Sequence, residues 1–248
     1  LDADPQTANA RNLEPMFAPQ SVAVIGASRT PGSVGNAIMR NLVYGGYTGV
    51  VYPVNPKAKS IFSSACVHSV GALPEAPDLV VFAIPPRFIE PAIREASDMG
   101  TRNFVIISAG FKEVGGEGVA MENSIKALAK ERGLNIIGPN CLGIYYPKGK
   151  IGLSPDFTME AGSIGYLCQS GGNVDFTVRH ATARGLRFSK VVSYGNASDI
   201  NECDLLDYFA WDPETKVIAA YIEGITDGRR FARALKKAAA AKPVVVFK

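Results

Sequence analysis

Apolar runs of strand length alternate with stretches of helical period along this chain, and the alternation occurs in two blocks. In the first, strands are expected near residues 21–26, 49–54, 78–84, 103–108 and 135–138, with helices near 33–45, 87–99 and 117–132 between most of them. In the second, strands are expected at 163–168, 188–193, 216–223 and 243–247, with helices at about 172–183, 200–210 and 227–240. Strands joined through helices are parallel neighbours, so the pattern points to an α/β chain with two doubly wound units. Ligands of such sheets bind beyond the carboxyl ends of the strands, which directs attention to the strand termini.

The most informative terminus is Val22-Ala-Val-Ile-Gly-Ala-Ser-Arg-Thr-Pro-Gly-Ser-Val-Gly35. An apolar strand breaks into small residues and opens straight into a helix. Bare N–H groups at a helix N-terminus, with the positive end of the macrodipole behind them, favour an anion, and small residues let it approach. A dinucleotide would need Gly-x-Gly-x-x-Gly, but Ser28 stands two residues after Gly26, and the next glycines are Gly32 and Gly35. It would also need an acidic residue about 20 positions on to bind a ribose hydroxyl. The second strand ends instead in Val54-Asn-Pro-Lys57. A lysine there suits an extra phosphate or an adenine edge, the alternative being a solvated surface lysine.

Other termini collect on the same edge. The third strand, Asp78-Leu-Val-Val-Phe-Ala-Ile84, runs into Pro85-Pro86, and proline is well tolerated where a helix begins. The fourth leads into Ser108-Ala-Gly-Phe111, and the fifth into Gly138-Pro-Asn-Cys-Leu-Gly143. In the second block, Gln169-Ser-Gly-Gly172 joins a strand to a helix and forms a second phosphate-type turn, or else a tight turn that needs small residues for packing. Glu223 is expected at the end of a buried strand, where a carboxylate needs a partner such as an imidazole. The other reading makes it a helix-capping acid near Thr226-Asp227.

His68 and His180 are the only histidines, and neither sits in a Ser/His/Asp or Cys/His constellation, so hydrolysis by this chain alone is not expected. Cys66, Cys141, Cys168 and Cys203 lie far apart with no C-x-x-C pair. No metal site or disulfide framework is expected, and a reducing, cytoplasmic setting is. A net charge of +3 without a basic stripe gives no expectation of nucleic acid. The apolar runs fall short of the roughly 20 residues of a membrane span, and no secretory leader is expected.

The looser segment from about Ile144 to Ala161 carries Pro147, Gly149, Gly152 and Pro155 without clear periodicity and is expected to link domains. This places a first domain at 1–145, a linker at 146–162 and a second domain at 163–248. Residues 1–15 are expected to be a loose arm, before Met16-Phe17 packs down. Leu1 is not an initiator methionine and the strand near 243–247 has no loop after it, so the chain is expected to be cut at its ends.

The order Val-Ile-Gly-Ala-Ser28, Pro-Val-Asn-Pro-Lys57, Ala-Ile-Pro-Pro86, Ile-Ser-Ala-Gly110, Gly-Pro-Asn-Cys141, Gln-Ser-Gly-Gly172 and Tyr-Ile-Glu-Gly224 resembles the NDP-forming acyl-CoA synthetases. These include the ADP-forming acetyl-CoA synthetases, with the succinyl-CoA synthetase α subunit more distant. The resemblance runs from about Met16 to Lys248. It implies a Rossmann-like CoA-binding domain followed by a flavodoxin-like one. It also implies that Gly26, Ala27 and Ser28 bind coenzyme A phosphates and that Val54, Asn55 and Lys57 meet its 3′-phosphorylated adenosine end. Ile84, Pro85 and Pro86 would line its path, while Ser108, Ala109, Gly110, Asn140 and Cys141 would lie near its thiol end. Ser170, Gly171 and Gly172 would hold the phosphate of an acyl phosphate or phosphohistidine, and Glu223 would orient the phosphorylated histidine.

Neither His68 nor His180 matches that histidine's motif, which in the family follows the strand that here ends at Lys248. Nor does the chain contain the ATP-grasp module that binds ATP or ADP with magnesium, so the resemblance implies an ATP-grasp partner subunit or domain and a hetero- or homo-oligomer. For the whole enzyme it implies interconversion of acyl-CoA, ADP and phosphate with a carboxylate, CoA and ATP through an acyl phosphate. Two other classes remain: a CoA-sensing module of a protein acyltransferase fusion, and a nicotinamide-dependent oxidoreductase, against which the glycine spacing and Lys57 both speak.

Overall fold

The computed structural model describes residues 11–153 and 157–248. The first unit runs through α1 (Glu14–Phe17), β1 (Ser21–Ile25), α2 (Val34–Tyr44), β2 (Val50–Val54), a small antiparallel pair β3 (Ser60–Ile61) and β4 (Ser64–Ala65), β5 (Leu79–Phe82), α3 (Ile89–Met99), β6 (Asn103–Ile106), α4 (Glu117–Arg132) and β7 (Asn135–Ile137). Its five-stranded sheet is parallel throughout, in the order β2-β1-β5-β6-β7. The residues of β1, β5 and β6 are buried on both faces, which is why their sequences read as unbroken apolar runs. The winding direction reverses between β1 and β5, and in doubly wound sheets a crevice opens at that switch point.

The chain then enters a second sheet through β8 (Gly143–Tyr146), β9 (Ile151–Gly152), β10 (Ile164–Cys168), α5 (Gly171–Ala183), β11 (Phe188–Ser193), α6 (Glu202–Trp211), β12 (Val217–Tyr221), α7 (Gly228–Ala241) and β13 (Val244–Phe247). The order is β13-β12-β10-β11-β8-β9. β10 to β13 are parallel, and β8 lies antiparallel to β11. Here the reversal falls between β10 and β12.

Two expectations are corrected. The segment expected to be a linker is entered and partly occupied by strands of the second sheet: β8, which ends at Tyr146, pairs with β11 over Gly143–Ser193, Ile144–Val192 and Tyr145–Val191, and β9 (Ile151–Gly152) pairs with β8. These strands are short and antiparallel, β8 held by the distant β11 and β9 by β8, so no local period announces them. The N-terminal arm is fixed from Arg11 onward, with Leu13, Met16 and Phe17 buried; residues 1–10 lie outside the described residues.

The units share a core. One apolar cluster runs from Val22, Val24 and Leu79 of the first sheet through Val105 and Ile137 to Leu167 and Val192 of the second and Phe209 of α6. Polar ties reinforce it. The segment after β11 lies along β7, with Asn196, Ser198 and Ile200 giving their N–H groups to the carbonyls of Pro139, Gly138 and Ile136. Among the described residues no helix is long and apolar enough to cross a membrane.

Candidate functional site

Each switch point carries a cleft. The one between β1 and β5 encloses about 700 Å³ and is lined mainly by carbon: Ile25, Gly26, Val54, Pro56, Val70, Ile84, Pro85 and Phe88, with Asn55, Lys57, His68 and Glu95 around it. Gly26 and Gly35 set its floor. Gly26 has φ +92°, and a Cβ there would stand 2.3 Å from the Ala83 carbonyl oxygen; a Cβ on Gly35 would stand 1.9 Å from the Gly26 oxygen. Helix α2 can therefore begin against the end of β1 only because both residues lack side chains. Ser33 caps α2 by accepting the Asn36 N–H. Asn55 organises the rim: its Nδ2 donates to the Ala27 carbonyl at 2.8 Å and its Oδ1 accepts the Lys57 N–H at 2.8 Å. The Lys57 side chain is exposed, and among the described residues no acidic group pairs with it.

The second cleft, also about 700 Å³, is polar, and it opens where the two sheets meet. Gln169, Ser170, Gly171, Gly172, Asp175, Arg179 and Glu223 come from the second unit, joined by Gly195 and Asn196 from the loop after β11; Lys112, Asn140, Cys141 and Leu142 come from the first unit and its exit. Ser170 caps α5, accepting the Asn173 N–H at 3.3 Å, so the first amides of a 13-residue helix face the cleft. The Gln169 Oε1 accepts the N–H groups of Glu223 and Gly224 at 2.9 and 3.0 Å. That one side chain fastens the end of β10 to the loop beyond β12.

Gly26, Val54, Asn55, Lys57, Ile84 and Pro85 line the apolar cleft. Ala27 is fully buried, and the Ser28 hydroxyl accepts the Thr30 N–H at 3.0 Å; neither lines that cleft. Pro86 lines a smaller recess beside it and packs on Gly110, whose added Cβ would meet the proline ring at 2.9 Å. Ser108 bonds to the Ile84 carbonyl at 2.6 Å and receives the Asn140 N–H at 2.9 Å, and so bridges the ends of β5 and β7; Ala109 is exposed. Asn140, Cys141, Ser170, Gly171, Gly172 and Glu223 all line the polar cleft.

Cys141 is no nucleophile: burial pushes its thiol up to about 12, and its Sγ points to the Ile106 carbonyl at 3.3 Å. Glu223 is corrected in its surroundings. It lies beyond the end of β12 and is exposed, and among the described residues no hydrogen bond or ion pair reaches its carboxylate. The acid that caps α7 is Asp227. His68 sits at the apolar cleft with Nδ1 3.1 Å from the Pro56 carbonyl, and His180 stacks on Phe176 on the outer face of α5; neither lines the polar cleft.

Residues 20–147 match the model of the CoA binding domain, and residues 161–248 match that of the succinyl-CoA ligase like flavodoxin domain. Among curated relatives, the chain is 41% identical to acetate–CoA ligase [ADP-forming] I of Archaeoglobus fulgidus, over 95% of this chain and 34% of that protein. It is 37% identical to the acetate–CoA ligase [ADP-forming] I subunit alpha of Pyrococcus furiosus, over 96% of this chain and 52% of that one. A solved structure of the acetyl-coenzyme A synthetase 1 of Ca. Korarchaeum cryptofilum, in complex with phosphate and ADP, superposes with a TM-score of 0.89 at 32% identity, covering 96% of this chain and 51% of that chain. The chain thus spans about a third to a half of the length of these relatives. It belongs to the NDP-forming acyl-CoA synthetase family, as the CoA-binding, α-type portion.

Proposed function

We propose that this chain binds coenzyme A in the apolar cleft and presents the polar cleft for phosphoryl transfer, within an enzyme that interconverts acyl-CoA, ADP and phosphate with a carboxylate, CoA and ATP. The observation that carries the reading is Lys57. It stands, free of any acidic partner among the described residues, where a nicotinamide site would place a carboxylate. The apolar walls suit the long pantetheine arm, and an unpaired ammonium at the rim suits the 3′-phosphate. Coenzyme A supplies the thiol that accepts the acyl group. Gly26, Val54, Asn55, Ile84 and Pro85 would hold and orient its body, with Asn140 near its reactive end.

Ser170, Gly171 and Gly172 would bind phosphoryl oxygens at the start of α5, where positioning and fixed dipoles do most of the work of such transfers. The Glu223 carboxylate repels a phosphate and attracts a cationic imidazole, so its part is to orient a phosphorylated histidine that the described residues do not provide. The Pyrococcus relative being an alpha subunit, and the Korarchaeum structure holding phosphate and ADP, support an ATP-grasp partner that binds ATP and magnesium. A cytoplasmic location and a hetero- or homo-oligomer belong to the same reading.

Parallel calorimetric titration with CoA, dephospho-CoA and NAD tests it. CoA is expected to bind, with a loss of about tenfold or more when its 3′-phosphate is absent, as for one charge-assisted contact. Lys57→Met should erase that difference between CoA and dephospho-CoA. Binding of NAD alone would overturn the reading.

A further inference from the structure

We infer that Lys112, a residue of the first unit, is the phosphoryl-binding cation of the polar cleft in the second. The inference deepens the reading above and rests on it. Helix α5 offers an anion about half a unit of positive charge, whereas a phosphoryl group carries close to two negative charges. The charged residues lining the cleft are Lys112, Asp175, Arg179 and Glu223. Arg179 is matched by Asp175 at 2.9 Å and lies over the Phe157 ring. Lys112 differs in that its acidic partner, Glu122, lies behind it and does not line the cleft, so its ammonium is the positive charge presented there.

The Lys112 ammonium is held from behind. It donates to the Asn196 carbonyl and stands 3.3 Å from the Glu122 carboxylate. Asn196 is fixed in turn, since its Nδ2 gives one hydrogen to Glu113 Oε2 at 2.7 Å and the other to Glu122 Oε2 at 2.8 Å. Glu113 also accepts the N–H groups of Gly110 and Phe111, at 2.5 and 3.1 Å, and so sets the turn that carries Lys112. An ammonium has three hydrogens. One is given to the Asn196 carbonyl and the ammonium is paired with Glu122, while the side chain remains 49% exposed and lines the cleft.

Titration with inorganic phosphate at several salt concentrations, followed by calorimetry, tests the assignment in the wild type, Lys112→Met and Lys112→Arg, with CoA binding at the other cleft as the check on folding. The expected result is a loss of about tenfold or more in phosphate affinity for Lys112→Met, a shallower dependence on salt, unchanged CoA affinity and substantial recovery in Lys112→Arg. If Lys112→Met binds phosphate as tightly as the wild type, the assignment is wrong while the polar cleft stands. If the wild type binds CoA but no phosphate, the phosphoryl reading of the cleft falls and Lys112 falls with it.

Discussion

Arg11 closes both arms of its guanidinium on Asp199, at 2.6 and 2.7 Å. The same carboxylate accepts the Ile136 N–H at 2.9 Å, so one acid joins the N-terminal segment, the edge of the first sheet and the loop after β11. Asp199→Ala leaves a buried N–H and a half-buried guanidinium without their acceptor, at an expected cost of about 1.5–3 kcal/mol. Urea unfolding of the two proteins measures it, and Asp199→Asn should fall between them.

Lys190 is buried in the second sheet, 2.8 Å from Asp212 and 2.9 Å from Glu214, with its ammonium 4.7 Å from the centre of the Tyr146 ring. Its methionine variant keeps the volume and removes the charge, which strands the Asp212 carboxylate out of water; the expected loss is about 3–5 kcal/mol. A Lys190→Met/Asp212→Asn double variant should regain part of it. Equal unfolding midpoints for wild type and single variant would show that the cluster contributes nothing to stability.

Burial alone would raise the Glu214 carboxyl, but hydrogen bonds from Lys148 and Lys190 outweigh it and bring the group from 4.5 down to about 2. Because the folded value lies below the unfolded one, this contribution to stability is present in full above about pH 4.5 and drains away as pH falls toward 2. Glu214→Gln should flatten that part of the stability curve. An unchanged slope between pH 5 and pH 2, followed by denaturant titration, would remove Glu214 as its source.

Gly35→Ala places a methyl where the Gly26 carbonyl already lies. Either α2 moves off the end of β1 or the turn opens, at a cost of about 1–3 kcal/mol, and the apolar cleft loses its floor. Reduced CoA affinity together with a lower melting temperature is expected, whereas Gly32→Ala, with open space around its Cβ, should disturb the cleft less.

The parallel strands and their helices were legible because burial on both faces writes itself into local sequence as unbroken apolar runs, and the close turn at Gly26 because only small residues fit where a helix begins against a strand end. β8, β9 and the β3–β4 pair were not, since each is too short to show a period and β8 is fixed by β11, far along the chain. The apolar run carries the expected strand two residues beyond Tyr221 and so sets Glu223 too deep, whereas in the structure the Gln169 side chain takes over the pairing there. Lys112 and Asn196 were missed because only folding brings them together. The available signal was position: Lys112 follows Gly110-Phe111 directly, on the edge where ligands gather.

β7 ends at Ile137 and β8 begins at Gly143 in the neighbouring sheet, while the loop after β11 is laced along β7. Opening a hinge between the units would mean unzipping that seam and parting the apolar cluster the two sheets share, so the seam opposes any change in the separation of the two clefts. On the proposed reading, whatever passes from one cleft to the other has to span that seam by its own length.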